Sequence, residues 1–312
     1  MAKKSKAQIY AEFVVVKAVF GFLNILPRRA AVGAGLFLAR ILYHLLSPLR
    51  RAASRNLEIA FSDLTEPERK RLAKGAFDNL GRMLGEISQF PKATPESISQ
   101  IIDFRFDPAT LARYEELRLQ GRGVIILSPH MGNWELLVFA WAAAQEPISY
   151  LARPLDNPLI EDLTVKLRTR FGNRPINKTN AVGNALSILR AGGILGILAD
   201  VNAHPKEGVF VPFFGVPACT STGPALLAMR SNAVIIPVTA VWVEEEGRYV
   251  ARHGSIIEPR NTGDRQADVA ATTAEFTAEV EALIRQNPDQ WMWVHKRWKT
   301  RPPGEPDIYE IS

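Results

Sequence analysis

Between residues 123 and 144 the chain passes from a short apolar run, Val124-Ile-Ile-Leu127, through Ser128-Pro-His-Met-Gly-Asn133, into an apolar stretch that ends in Ala142-Ala-Ala144. The first run is continuous and rich in β-branched residues, as a strand buried on both faces would be, and the second reads as an apolar helix. A strand covered on both faces needs strands beside it and helices above and below, so the rest of the chain has to supply them. The polar residues Ser128, His130, Asn133 and Glu135 fall at the junction. Open α/β sheets build their sites at such junctions, at the carboxyl ends of the strands.

The centre of the chain repeats this alternation. Apolar runs over residues 101–106, 148–151 and 193–198 read as strands, and residues 107–120, 157–171 and 181–191 carry helical patterns. Two adjacent runs, 233–243 and 248–257, are split by Glu244-Glu-Glu-Gly247 and read as a hairpin, so the sheet is expected to be mixed rather than purely parallel. A last helix is expected over 267–286. The fold class expected is α/β, a mixed central sheet flanked by helices.

The amino-terminal region reads differently. Lys3, Lys4 and Lys6 precede an apolar segment over residues 10–26, and Pro27-Arg-Arg29 follows where a signal peptide would have its small-residue cleavage site. A second apolar segment, 30–46, is interrupted by Arg40 and His44. Each is about as long as the shortest spanning helix, roughly 17 residues. Each also carries charge inside it: Glu12 and Lys17 in the first, Arg40 in the second. Helices lying in the membrane interface or forming a shallow anchor fit this pattern better than two clean spans. A pair of buried helices in a soluble domain is the alternative. Arg50, Arg51 and Arg55 come next, where a cytoplasmic juxtamembrane patch would meet anionic headgroups. Thr65-Glu-Pro-Glu68 has the form of a capping box opening a helix. The expected division is a helical membrane anchor over 1–48 and an α/β domain over 49–312.

Composition narrows the partners. With 47% hydrophobic and 22% charged residues the chain is globular, and its net charge of +6 suits an anionic membrane, a phosphorylated substrate or nucleic acid. Cys219 is the one cysteine, which excludes an intramolecular disulfide and a Cys-rich zinc site and fits a reducing compartment.

His130 and Glu135 are five residues apart. On one continuous helix that spacing would put them on different faces, so a helical zinc pair of the His-Glu-x-x-His kind is not available. With His130 in the loop and Glu135 in the first helical turn, the two can face each other. The carboxylate would orient the imidazole and stabilise its protonated form, which makes a general base for a hydroxyl. Asp200 follows a strand and could contact a substrate, support the base or cap its own loop. The apolar residues 209–215, with Phe213 and Phe214, suit the wall of an apolar pocket. At the carboxyl end Trp291, Trp293 and Trp298 interleave with His295, Lys296, Arg297, Lys299 and Arg301, a composition that can meet membrane headgroups or stack on bases. Beside an expected membrane anchor, headgroup contact is preferred. His295 is a second candidate base.

Ser128-Pro-His-Met-Gly-Asn-Trp-Glu135 resembles the His-x-x-x-x-acid motif of the glycerolipid acyltransferases, in the form used by the bacterial lipid A late acyltransferase family. Similar matches follow in order: Arg153-Pro154 with Asn157-Pro158, Asp200 after a strand, Val211-Pro-Phe-Phe-Gly-Val-Pro217, and Trp291-Met-Trp-Val-His-Lys-Arg-Trp-Lys299. Arg51-Ala-Ala-Ser-Arg-Asn-Leu57 is similar to the family's amino-terminal region, so the resemblance covers nearly the whole chain.

What the resemblance implies is a glycerolipid acyltransferase-like fold that moves a fatty acyl chain from an acyl-carrier-protein thioester, or from acyl-CoA as the alternative co-substrate, to a hydroxyl of a glycolipid. A lipid A precursor is the expected acceptor, at the cytoplasmic face of the inner membrane. His130 would be the general base and Glu135 its holder, with Arg153 as a donor to the developing negative charge or to a substrate phosphate. Asn133, Asn157, Asp200, Phe213, Phe214, His295 and Arg297 would contact substrates. No cofactor, metal or covalent acyl-enzyme is implied. Another acceptor, such as a phosphoinositol mannoside or a phospholipid, is the nearest alternative. Further alternatives are a non-catalytic lipid-binding relative and a basic nucleic-acid-binding protein. The last leaves the His130 junction and the apolar amino terminus without a purpose.

Overall fold

The computed structural model describes residues 4–176 and 180–310; Lys3 lies outside them. Four helices come first: α1 (Lys6–Ile25), α2 (Arg28–Leu45), α3 (Ser47–Ala60) and α4 (Glu66–Ile87). A short α5 (Pro95–Ser99) leads into β1 (Ile102–Phe104), α6 (Pro108–Leu119), β2 (Val124–Ser128), α7 (Trp134–Ala144) and β3 (Ser149–Leu151). Then follow α8 (Pro158–Arg168), β4 (Arg174–Pro175), α9 (Ala181–Arg190) and β5 (Ile194–Leu198). The last elements are β6 (Gly208–Phe213), β7 (Val216–Ser221), α10 (Gly223–Ser231), β8 (Val234–Val243), β9 (Arg248–His253) and α11 (Arg265–Gln286).

Among the described residues the main sheet has seven strands in the order β1-β9-β8-β2-β5-β3-β4. Its neighbours run parallel except β8 and β9, which form the antiparallel hairpin, so the sheet is mixed. β2 lies between β5 and β8 and is nearly buried throughout, as its unbroken apolar run requires. Helices cover both faces, and the core divides into two apolar clusters.

β6 and β7 form a separate hairpin that the sequence pattern did not announce. Its turn residues Phe214 and Gly215 both have positive φ, 51° and 74°. Such two-residue turns usually hold Asn-Gly or Gly-Gly. Here the Phe214 ring is held against Phe61, Phe213 and Trp293, with the Arg285 guanidinium over it, and its backbone N–H donates to Glu281. Aromatic packing therefore sustains a conformation that a phenylalanine seldom adopts.

At the amino terminus, the capping box of α4 is formed, with the Thr65 N–H donating to the Glu68 carboxylate at 2.8 Å. α2 lies along α4 through a stripe of Ala31, Gly35, Ala39 and Tyr43, spaced by four. The approach is close enough that a Cβ on Gly35 would stand 2.2 Å from the Gly81 carbonyl oxygen. α1 is otherwise placed: Leu23 is its one buried residue, and it is long and apolar enough to cross a membrane. Val14, Val15, Phe22 and Ile25 on α1 are exposed, as are Phe37 and Leu45 on α2.

Candidate active site

β2 and β5 are parallel neighbours in equal register, with Ser128 opposite Leu198 at their carboxyl ends. Two residues beyond each end come His130 and Asp200. The register alone therefore brings these two loops side by side. The loop after β2 is fixed by its backbone: Gly132 N–H donates to the Gln290 carbonyl, Asn133 N–H to the Ala240 carbonyl, and Met292 N–H to the His130 carbonyl, at 3.0, 2.8 and 2.9 Å. Gly132 has a φ of 59°, and a Cβ there would stand 1.8 Å from the Ala240 oxygen, so only glycine fits. Asn133 caps α7, its Oδ1 accepting from Leu136 N–H at 3.0 Å.

Asp200 is buried and accepts three hydrogen bonds of 2.7 Å, from His130 Nδ1, from the His130 backbone N–H and from Trp291 Nε1. With Nδ1–H donating to a carboxylate, Nε2 keeps its lone pair and becomes the basic atom. Burial draws the His130 pKa down, but the Asp200 charge and hydrogen bond outweigh it and leave it above the ordinary histidine value. Burial would raise the Asp200 pKa, yet the His130 charge and the bonds from His130 and Trp291 hold it well below the usual carboxylate range.

Glu135 does not hydrogen-bond the imidazole. It makes two bonds to Arg168 at the end of α8, one of them 2.8 Å from Nε, and both side chains are largely buried. Its charge still favours protonated His130. The carboxylate that holds the imidazole is thus Asp200, and spacing along the chain had pointed to Glu135 because only sequence neighbours are visible there. Arg168 was missed altogether, and nothing in its surroundings in the sequence singles it out.

The other expected residues are dispersed. Arg153 is 76% exposed and pairs with Asp156 at 3.2 Å. Asn157 caps α8 and donates from Nδ2 to the Ile9 carbonyl and to Glu12, at 2.8 and 3.1 Å, which ties α8 to α1. Phe213 and Phe214 pack in the core with Trp291, Trp293 and Trp298 instead of lining the space beside His130. The aromatic and basic carboxyl end is likewise not a headgroup belt. Its three tryptophans are buried, because the segment folds back over the loops after β2 and β5. Arg297 is 0% exposed, bonded to the Cys219 carbonyl and the Thr220 hydroxyl, and burial brings its pKa down to about 10 against the pull of Asp200. His295 accepts from Asn202 N–H at 3.1 Å through Nε2, two residues past Asp200, and burial lowers its pKa.

Two apolar cavities lie between α7 and the sheet and share Ile126 and Val138. The nearer includes Ser128, Trp134, Glu135, Tyr150 and Arg168 in its walls, and the Trp134 ring meets the His130 ring edge-on at 5.1 Å. The farther is lined in part by Phe106, Tyr114, Trp141 and His253.

A carboxylate-backed imidazole at the carboxyl edge of a mixed α/β sheet, beside an apolar recess, is an arrangement able to take a proton from a hydroxyl. The family model for bacterial lipid A biosynthesis acyltransferases matches residues 1–300, and the chain belongs to that family and is an acyltransferase. It is 27% identical to the lipid A biosynthesis lauroyltransferase of Escherichia coli K12 over 288 residues, covering 91% of this chain and 90% of the relative. A lipid A biosynthesis acyltransferase of Haemophilus influenzae is 30% identical over 276 residues, covering 86% and 84%. The palmitoleoyltransferase of Escherichia coli K12 is 28% identical over 258 residues, covering 82% and 81%.

Proposed function

We propose that this enzyme transfers a fatty acyl group from an acyl-carrier-protein thioester to a hydroxyl of a lipid A precursor, with His130 as general base. The observation that carries this is the 2.7 Å bond from His130 Nδ1 to buried Asp200, next to an apolar recess. His130 Nε2 takes the proton as the hydroxyl oxygen attacks the thioester carbonyl, and ionised Asp200 stabilises the imidazolium that forms. Collapse of the tetrahedral intermediate re-forms the carbonyl and breaks the carbon–sulfur bond, and the imidazolium returns its proton to the departing thiolate.

In this proposal the two cavities between α7 and the sheet take the acyl chain. Arg168, held by Glu135 in the wall nearer His130, supplies positive charge near the developing oxyanion. Arg153 follows Leu151 and Ala152 of the same wall and is exposed, which suits a phosphate on the acceptor. The exposed apolar residues of α1 and of the outer face of α2 enter the membrane, on its cytoplasmic side, where the acyl-carrier protein is available. Residues 1–48 thus act as the anchor even though α2 also packs on α4.

The test is mass spectrometry of lipids formed from defined acyl-carrier-protein donors and candidate glycolipid acceptors by the wild type and by His130→Ala. The expected result is an acylated lipid A precursor from the wild type and loss of that product in the folded variant. Product formation by His130→Ala at the wild-type rate would overturn the mechanism.

A further inference from the structure

Thr110 and His253 belong to the walls of two cavities at once. One is the farther apolar cavity, and the other is a polar outer cavity whose walls include Asp107, Ser255, Glu279 and Gln286. His253 is the last residue of β9, and both of its ring nitrogens are engaged. Nδ1 lies 2.8 Å from the Gly254 carbonyl oxygen, and Nε2 lies 3.0 Å from the Asp107 carboxylate and 3.3 Å from the Asp107 N–H. Its ring packs on Phe106 at 5.3 Å, and Phe106 continues to Trp141 and Tyr114 in one aromatic wall. A polar ring held at both nitrogens thus stands where a cavity lined by Leu111, Ile126, Leu137 and Val138 ends.

We propose that His253, held by Asp107 and Gly254, is the stop that limits the length of the acyl chain this enzyme accepts. The inference rests on the proposed acyl occupancy of the cavity. From Glu135 to Trp141 the recess follows α7 for about 9 Å at 1.5 Å per residue. Each further methylene along this path leaves water for an apolar wall and gains from it. Past the aromatic wall the gain ends. A longer chain has either to displace a hydrogen-bonded imidazole or to pass into the outer cavity, where Asp107 and Glu279 present carboxylates. A freely rotating apolar side chain at this point could yield to an extra methylene. A ring held between Asp107 and a backbone carbonyl yields less, so the stop is sharp.

The experiment measures kcat/KM for acyl-carrier-protein donors of increasing chain length with the full-length enzyme and its variants, each checked by circular dichroism and thermal melting. His253→Ala opens the wall and is expected to raise the ratio of longer over shorter donors by about tenfold or more. A folded His253→Ala enzyme with the wild-type chain-length profile overturns the inference. Should that variant not fold, His253→Phe, which adds bulk at the same place, is expected to move the preference to shorter donors, and an unchanged profile again overturns it. Val138→Phe in the neck common to both cavities separates the inference from its premise. If it leaves every donor unaffected, the chain does not occupy these cavities, and the inference falls with that assignment. If it disfavours long donors while both His253 variants keep the wild-type profile, the cavity holds the chain and His253 is not its stop.

Discussion

Asp200 holds His130 twice, at ring Nδ1 and at the backbone N–H, both at 2.7 Å. One carboxylate therefore fixes the tautomer of the imidazole and the position of its loop together. Asp200→Asn should keep the fold but replace the ionised acceptor with an amide, which favours the wrong tautomer and removes the charge that stabilises the imidazolium. A fall in kcat of about 10²–10⁴-fold is expected, measured by product formation in a variant whose melting shows it folded. A loss of less than tenfold would show that Asp200 is not the partner of the base.

The same pairing sets a pH dependence. The His130 pKa lies above its ordinary value of 6.5, and in the proposed mechanism His130 acts only when neutral, so the acid limb of kcat/KM should have its midpoint above 6.5. Asp200→Asn should move that midpoint down. A histidine pKa raised by folding contributes stability that is fully present below the unfolded value and is lost as pH rises through the folded one. Denaturation midpoints of the wild type, compared with Asp200→Asn across this range, should therefore converge as pH rises through the folded His130 pKa. A pH-independent difference between the two proteins would contradict the linkage.

Glu135 and Arg168 form a two-bonded pair that is only 16% and 21% exposed, in the wall of the nearer cavity. Glu135→Gln leaves a mostly buried guanidinium without its counter-charge. The expected loss is roughly 1–3 kcal/mol of stability, less than for a fully buried pair because solvent screens part of it. Adding Arg168→Met should recover part of the stability. If Glu135 serves catalysis through Arg168, the double variant should be no slower than Arg168→Met alone. Additive losses in kcat would instead give Glu135 a role of its own.

Where α2 crosses α4, Gly35 and Gly81 allow the two backbones to touch. A Cβ on Gly81 would stand 2.5 Å from the Gly35 oxygen and 2.6 Å from the Ala39 Cβ. Gly81→Val must part the helices and should destabilise the protein by roughly 1–3 kcal/mol, read from urea unfolding in detergent. Stability equal to the wild type would mean that this crossing is not closely packed in solution.

Local pattern carried most of the helices and strands and the capping box, because each depends on neighbours a few residues away. His130 was legible as a candidate base for the same reason. Its pairing with Asp200 was not, since that depends on β5 lying beside β2 in equal register, and strand order leaves no mark in periodicity. The carboxyl end misled because tryptophan and arginine are common both at interfaces and in buried networks, and alternation of type does not say which face is covered. The β6–β7 hairpin escaped because Phe214-Gly215 lacks the usual turn residues, its positive φ being sustained by distant aromatic rings.

Asn157 separates two accounts of the segment after β3. Its Oδ1 caps α8, and its Nδ2 donates to Ile9 and Glu12 of α1, so one side chain ties the apolar helix to the element that carries Arg168. Asn157→Asp keeps an acceptor for the cap but loses both donors and sets a second carboxylate against Glu12. α1 should then part from α8. Limited proteolysis would show faster cleavage around residues 4–26, while the exposed apolar face of α1 still partitions into vesicles. Asn157→Ala should lose the cap as well, at about 1 kcal/mol. A residue that touched substrate would behave differently, raising KM while α1 kept its protection. That result would return Asn157 to the binding site and leave the α1–α8 tie to other contacts.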